Sequence, residues 1–349
     1  MSKVRAWLRN AAAQVSEAYR VGALLLLRPA ASFLPRGWAM FLADAVGRGL
    51  MATPVGARTR QSMHAMFQWS GGDSRAIARE HLTRPFRDFV NSRRVSEQRD
   101  LPATWRFESR GEPEIIMDPK ASVIIAGGHF SREAMSVLYL PHIVPKRLQT
   151  VIAATDRVLT LRDFRLRMQL GAMREGVRVV RQGDVEIVAP GKPSAVAGML
   201  RHLRSPGSAV IIASDASWPK DAPGGFDRPY AGYASNRFAL GTARLARLSQ
   251  CPVVACVPFL DNDGRVIIEW GELIPAPARD DEAADVRITN AILDTFERAV
   301  GRRPGQYVLP FGSDRRWSAV AECWVDPASE PAAAPAAIPA ASELSKVAS

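Results

Sequence analysis

The segment 122–140, Ser-Val-Ile-Ile-Ala-Gly-Gly-His-Phe-Ser-Arg-Glu-Ala-Met-Ser-Val-Leu-Tyr-Leu, constrains the fold more than any other stretch. Val123, Ile124, Ile125 and Ala126 form an apolar run without polar alternation, the pattern of a short buried strand in a parallel sheet. Gly127 and Gly128 come next, where the chain can turn sharply. His129 stands at the turn, and Phe130, Ala134, Val137 and Leu138 then recur at helical spacing. In open α/β sheets, ligands bind where such strands end and helices begin. His129 is therefore a candidate general base. Glu133 lies four residues on, over the same helical face. A carboxylate there would hold the imidazole in one tautomer and raise its basicity. A surface ion pair or a helix cap has the same spacing, so spacing alone leaves both readings open.

After this segment, strand and helix signals alternate. Strands are expected over 150–154, 177–180, 209–213, 252–258 and 265–270, and helices over 161–173, 194–203, 237–248 and 285–300. Asn262-Asp263-Gly264 predicts a hairpin between the last two strands. Before the segment, residues 58–100 read as charged helix, broken at Gly71-Gly72-Asp73, with Asp73 or Ser74 capping the helix beyond the break. A short extended stretch around Trp105-Arg106-Phe107 leads into the first strand. This alternation argues for an α/β fold, a mostly parallel central sheet with helices on both faces. Arg181 and Asp215 would each close a strand on the same sheet edge as His129.

Residues 1–50 mix apolar and basic side chains. Val21–Leu27 is too short to span a bilayer and is ended by Arg28-Pro29. A second amphipathic helix is expected from Trp38 to Leu50. The Trp-bearing, basic, apolar character fits a segment lying in a membrane interface, although for 38–50 packing on a soluble core fits as well. The domain layout expected is 1–50 as interfacial helices, 51–326 as the main domain, and 327–349 as an Ala/Pro-rich disordered tail. Three cysteines, Cys251, Cys256 and Cys323, show no metal-ligand spacing and suit a reducing compartment. No metal cluster or nucleotide loop is apparent. The other histidines (His64, His81, His142 and His202) have no evident partner in the sequence. A formal net charge of +11 implies an acidic partner: nucleic acid, an anionic lipid surface or an acidic protein. Neither a compact basic helix nor an aromatic-basic sheet motif supports nucleic acid.

Several blocks agree in order and spacing with one family. Gly128-His129-Phe130, the strand Val210-Ile211-Ile212-Ala213 running into Ser214-Asp215, and Phe226-Asp227-Arg228-Pro229 ahead of Gly241-Thr242-Ala243-Arg244 all fit. So do Cys251-Pro252-Val253-Val254 and Arg303-Pro304-Gly305-Gln306-Tyr307. Over about residues 20–320 the chain resembles the late acyltransferases of lipid A biosynthesis, the lauroyl/myristoyl transferases of the lysophospholipid acyltransferase superfamily. It departs from them in two places. The family pattern is a histidine, four residues, then Asp or Glu, whereas Ala134 occupies the acidic position here and the carboxylate stands one earlier, at Glu133. The tryptophan-rich run after Gln-Tyr is also missing.

The resemblance implies a membrane-associated O-acyltransferase at the cytoplasmic face of a bacterial inner membrane. It would move a fatty acyl chain from an acyl carrier protein or coenzyme A thioester to a hydroxyl of a glycolipid such as a lipid A precursor. No cofactor and no metal are implied. His129 would be the base and Glu133 its orienting carboxylate. Gly127 and Gly128 would offer oxyanion donors, Arg181 would bind substrate, and Asp215 would orient a catalytic group or cap a loop. The alternative is a non-catalytic lipid-binding homologue with a degenerate His–acid motif. A nucleic-acid-binding protein is supported only by charge.

Overall fold

The computed structural model describes residues 2–99, 107–130, 138, 140, 144–151, 161–181, 186–188, 193–215, 224–261, 265–307, 316–318 and 323–325. Five helices come first: α1 (Ser2–Phe33), α2 (Arg36–Met51), α3 (Pro54–Ser62), α4 (His64–Ser70) and α5 (Ser74–Ser96). Thr53 caps α3, accepting from Val55 N–H at 3.2 Å, and Asp73 caps α5, accepting from Arg75 N–H at 2.9 Å. Strand β1 (Phe107–Arg110), the short α6 (Glu114–Met117), β2 (Val123–Gly127) and β3 (Arg147–Val151) come after them. Next are α7 (Leu161–Arg181), β4 (Glu186–Val188), α8 (Pro193–Leu203) and β5 (Ser208–Ala213). A two-stranded hairpin, β6 (Gly225–Tyr230) and β7 (Tyr233–Ala239), precedes α9 (Gly241–Ser249). The order then runs β8 (Val253–Leu260), β9 (Val266–Ile274), α10 (Ala284–Arg302) and a single turn of 3-10 helix over Pro304–Gln306. Two short strands, β10 (Arg316–Ser318) and β11 (Cys323–Val325), pair with each other.

Among the described residues, seven strands form the central sheet in the order β1-β9-β8-β2-β5-β3-β4. Every neighbouring pair is parallel except β8 with β9. The expected mostly parallel α/β sheet is thus the architecture. Period-2 alternation sends Ile124, Ala126, Val210, Val253 and Ala255 into a core shared with α8, α9 and α10. It sends Val123, Ile125, Ile211, Val254 and Cys256 to the opposite face, against Ile116 of α6 with Leu140 and Val144. β2 is apolar on both faces because it is covered on both.

Helices α1 and α2 do not stand apart. Leu24, Leu27 and Ala31 of α1, with Ala39, Ala43 and Leu50 of α2, pack against Leu82, Phe86, Phe89 and Val90 of α5 and Ala172 of α7. Arg94 of α5 is buried and donates to the carbonyls of Ala31 and Leu34 at 3.0 and 2.8 Å, tying down the end of α1. Against this packed side lies an exposed one. Val15, Tyr19, Leu26 and Phe33 recur at spacings of four and seven along α1, and Trp38 and Phe41 are exposed on α2. No helix among the described residues is long and apolar enough to cross a membrane.

Two sequence expectations fail here. Residues 177–180 are not a strand but the last turns of α7. Val177 is fully buried there with Val95 and Val266. Valine's helix penalty, under about 1 kcal/mol per residue, is outweighed by that packing. Arg181 consequently ends a helix rather than a strand. Residues 237–239 are not helix but the end of β7, held in register by Phe226 opposite Phe238 and Asp227 opposite Arg237. The turn of this hairpin is Ala231-Gly232, both at positive φ (48° and 86°), which suits a tight two-residue connection. Of the strand expected at 150–154, the described part is the end of β3. The hairpin tip 262–264 and the tail 327–349 lie outside the described residues.

Candidate active site

The site arises from the register of two adjacent parallel strands. Gly127, the last residue of β2, pairs with Ala213, the last of β5. The Ser214 amide then donates to the Gly127 carbonyl at 2.8 Å, carrying the ladder one step further. Two residues beyond each strand stand His129 and Asp215. Equal offsets from a matched pair bring them together at the carboxyl edge of the sheet, where parallel strands present their ligand sites.

Asp215 is fully buried and receives three hydrogen bonds. The His129 amide donates to Oδ2 at 2.8 Å, His129 Nδ1 meets Oδ1 at 2.6 Å, and the Tyr307 hydroxyl donates to Oδ2 at 3.0 Å. A buried carboxylate requires such compensation. Because a carboxylate only accepts, Nδ1 carries the proton in this contact. Nε2 is then the ring nitrogen that carries the basic lone pair. The His129 side chain is 27% exposed against 0% for Asp215, so one partner reaches solvent while the other stays within the fold. That is the arrangement of a base with its orienting acid.

The surroundings fix this pair. The His129 carbonyl accepts from Nη1 of Arg84 at 3.3 Å, and Arg84 is buried on α5 with its Nε on Asp88 at 2.9 Å. The Phe130 backbone bridges to Tyr307, and the Phe130 ring packs on Tyr307 and Phe296 with centroids 5.1 and 5.9 Å apart. Tyr230, at the end of β6, closes the cluster 6.1 Å from Tyr307. Burial pushes both phenols well above their ordinary range, and the nearby Asp215 carboxylate adds to it. Tyr307 therefore stays protonated and keeps donating. The β6–β7 hairpin is itself pinned to α10: Arg228 reaches Asp294 and Glu297, each at 2.7 Å, and Glu297 accepts from the Ala231 amide at 2.7 Å.

Gly128 supplies room. A Cβ there would lie 2.8 Å from Phe130 Cε2 and 3.4 Å from Asp215 Oδ2, so any larger residue would displace the ring that braces Tyr307. The carbonyl of Gly128 accepts from the Phe130 amide at 2.8 Å. Gly127 belongs to the sheet ladder.

The carboxylate on His129 is thus Asp215, which comes from 86 residues away. Glu133, the acid suggested by spacing, lies outside the described residues. Arg181 ends α7, and its side chain also lies outside what is described. The sequence alone assigns no role to Arg84 or Tyr307. The first sits in a charged helix and the second in a terminal block, and nothing in either local pattern points to His129. Asp215 did carry a usable signal, since an acid just past a buried strand mirrors a histidine just past its neighbour.

No protein-family model and no curated protein sequence matches the chain. Among solved structures, the 1-acyl-sn-glycerophosphate (LPA) acyltransferase PlsC from Thermotoga maritima is similar, with a TM-score of 0.34 and 11% identity over 76% of this chain and 97% of that one. A likeness so distant carries no chemistry across, and what the site can do rests on its own residues.

Proposed function

We propose that the protein is a membrane-associated O-acyltransferase in which His129, oriented by Asp215, is the general base. The observation that carries this reading is the 2.6 Å contact between Nδ1 of His129, whose side chain is 27% exposed, and the buried Asp215. In the reaction, Nε2 takes the proton of an acceptor hydroxyl as its oxygen attacks the carbonyl carbon of an acyl thioester. The Asp215 carboxylate stabilises the imidazolium so formed. Collapse of the tetrahedral intermediate breaks the C–S bond, and the imidazolium returns the proton to the departing thiolate. The products are an ester and a thiol, and the base is restored. The oxyanion needs donors from the turn after β2, a role we assign to the Gly128 amide.

The acceptor we favour is a hydroxyl of a glycolipid such as a lipid A precursor, and the donor an acyl carrier protein thioester, with coenzyme A as the second choice. Both stem from the family resemblance, and a net charge of +11 suits an acidic carrier and an anionic bilayer alike. The exposed apolar stripe of α1, the Trp38–Phe41 pair on α2 and the exposed Arg28 and Arg48 suit an interfacial docking face, here assigned to the cytoplasmic side of a bacterial inner membrane. The lipid-binding alternative draws its support from the displaced Glu133, and Asp215 fills the vacancy that displacement would leave. The test is acyl transfer from labelled acyl carrier protein thioesters into a membrane lipid extract, comparing wild type with His129→Ala, Asp215→Asn and Glu133→Ala. Loss in the first two with retention in the third supports the assignment. Loss in His129→Ala and Glu133→Ala alone would return the carboxylate role to Glu133.

A further inference from the structure

A second concave site lies between α1, α5 and α7. It is a cleft of about 420 Å³, within the range of small-molecule sites, and Arg28, Arg93, Arg167 and Arg174 all line it around Phe89. Carboxylates answer only one of the four. Arg93 pairs with Glu97 at 2.7 Å and with Glu175 at 3.2 Å. Arg28, Arg167 and Arg174 have no carboxylate within ion-pair distance among the described residues, and the shielded Nε of Arg174 meets no acceptor there. Three uncompensated guanidinium groups in one cleft repel each other and focus a positive potential into it. A neighbouring cavity of about 530 Å³ shares Arg28 and Arg93 and reaches the exposed Phe33 at the end of α1.

We propose that this cleft is a phosphate-binding site. Guanidinium groups match phosphate oxygens with paired, charge-assisted hydrogen bonds, and several converging arginines answer a doubly charged tetrahedral group better than a carboxylate. The phosphate can belong to a lipid headgroup, entering beside Phe33, or to a soluble phosphoester. The site stands apart from the acyl-transfer reading: it shares α5 with Arg84, but none of the residues that line it is among those assigned to the active site.

The test is titration calorimetry with inorganic phosphate, and flotation with phosphatidylcholine vesicles with and without phosphatidic acid. The variants are Arg167→Gln/Arg174→Gln and, as a control of equal charge, Arg201→Gln/Arg204→Gln on the exposed side of α8 and just beyond it. Wild type is expected to bind phosphate saturably. The site pair should weaken binding by about tenfold for each arginine removed, and the control pair should leave it unchanged. Phosphatidic acid vesicles that displace phosphate identify the headgroup as the source, and failure to displace it identifies a soluble phosphoester. Equal loss in both pairs, or no loss specific to the site pair in either assay, overturns the proposal. Phosphate binding by His129→Ala should equal that of wild type, so absence of acyl transfer would leave this inference untouched.

Discussion

Replacing Asp215 with Asn tests the base assignment without changing the shape of the site. The carboxylate receives three donors on two oxygens: the His129 amide and the Tyr307 hydroxyl on Oδ2, and His129 Nδ1 on Oδ1. An amide offers one oxygen and one NH2 group. With the NH2 toward the His129 amide, two N–H groups oppose each other at 2.8 Å, and neither can turn into an acceptor. With the oxygen there instead, it accepts from both the amide and Tyr307, while the NH2 faces Nδ1. The imidazole resolves that contact by moving its proton to Nε2. The substitution thus keeps every hydrogen bond and removes the lone pair that does the chemistry. Loss of a positioned base lowers kcat by about 10²–10⁴, or ~3–5 kcal/mol of barrier. The assay is single-turnover acyl transfer alongside ¹⁵N spectra of the imidazole, which read the tautomer directly. Wild type should show the Nδ1–H tautomer and Asp215→Asn the Nε2–H tautomer, with unfolding midpoints close together. Transfer by Asp215→Asn at the wild-type rate, or an Nε2–H tautomer in wild type, would refute the reasoning.

Tyr307→Phe keeps the ring packed 5.1 Å from Phe130 but removes one of the three donors to Asp215. Since Asp215 keeps its two bonds from His129, kcat should fall by only about tenfold, a smaller loss than in Asp215→Asn, as steady-state kinetics on the two variants would show. His81 on α5 is held down to about 4 from an ordinary 6.5, by burial first and then by the charges of Arg20 and Arg84. The unfolded chain takes up this proton near pH 6.5 and the folded chain only near 4, so acid favours unfolding across that window. Up to about 3 kcal/mol should be lost there, and urea midpoints from about pH 7 to about pH 4 should fall less steeply in His81→Gln. Finally, Phe33→Ser/Trp38→Ser removes two side chains that are 77% and 64% exposed. If they insert into lipid, each loss should weaken vesicle partitioning at least about tenfold, with the fold unchanged by circular dichroism.

The sequence was informative where local pattern and final environment agree. The β2 run and the Ile288, Ile292, Phe296 and Val300 face of α10 carry periodicities that their burial satisfies on both counts. Local pattern misled where packing between distant segments overrode a local preference. Val177 to Val180 look like a strand but complete a helix because Val95 and Val266 bury its end. Arg237 to Ala239 look like the first turn of α9, yet pairing with β6 draws them into a hairpin. His129 could be singled out because it ends an unmistakable strand. Its partner could not be fixed, since local spacing offers Glu133, while the register of β2 on β5 is set by the whole sheet. Arg84 and Tyr307 reach His129 and Asp215 only through α5 and the turn after α10, and no one-dimensional pattern joins those segments.

The most direct measurement is acyl transfer by the purified wild-type protein beside His129→Ala, using labelled acyl carrier protein and coenzyme A thioesters of several chain lengths and a membrane lipid extract as acceptor. With His129 as the base, wild type should form a labelled lipid ester and a folded His129→Ala protein should not. A folded wild-type protein that transfers nothing from any of these donors, or a His129→Ala protein that transfers as well as wild type, would contradict that role.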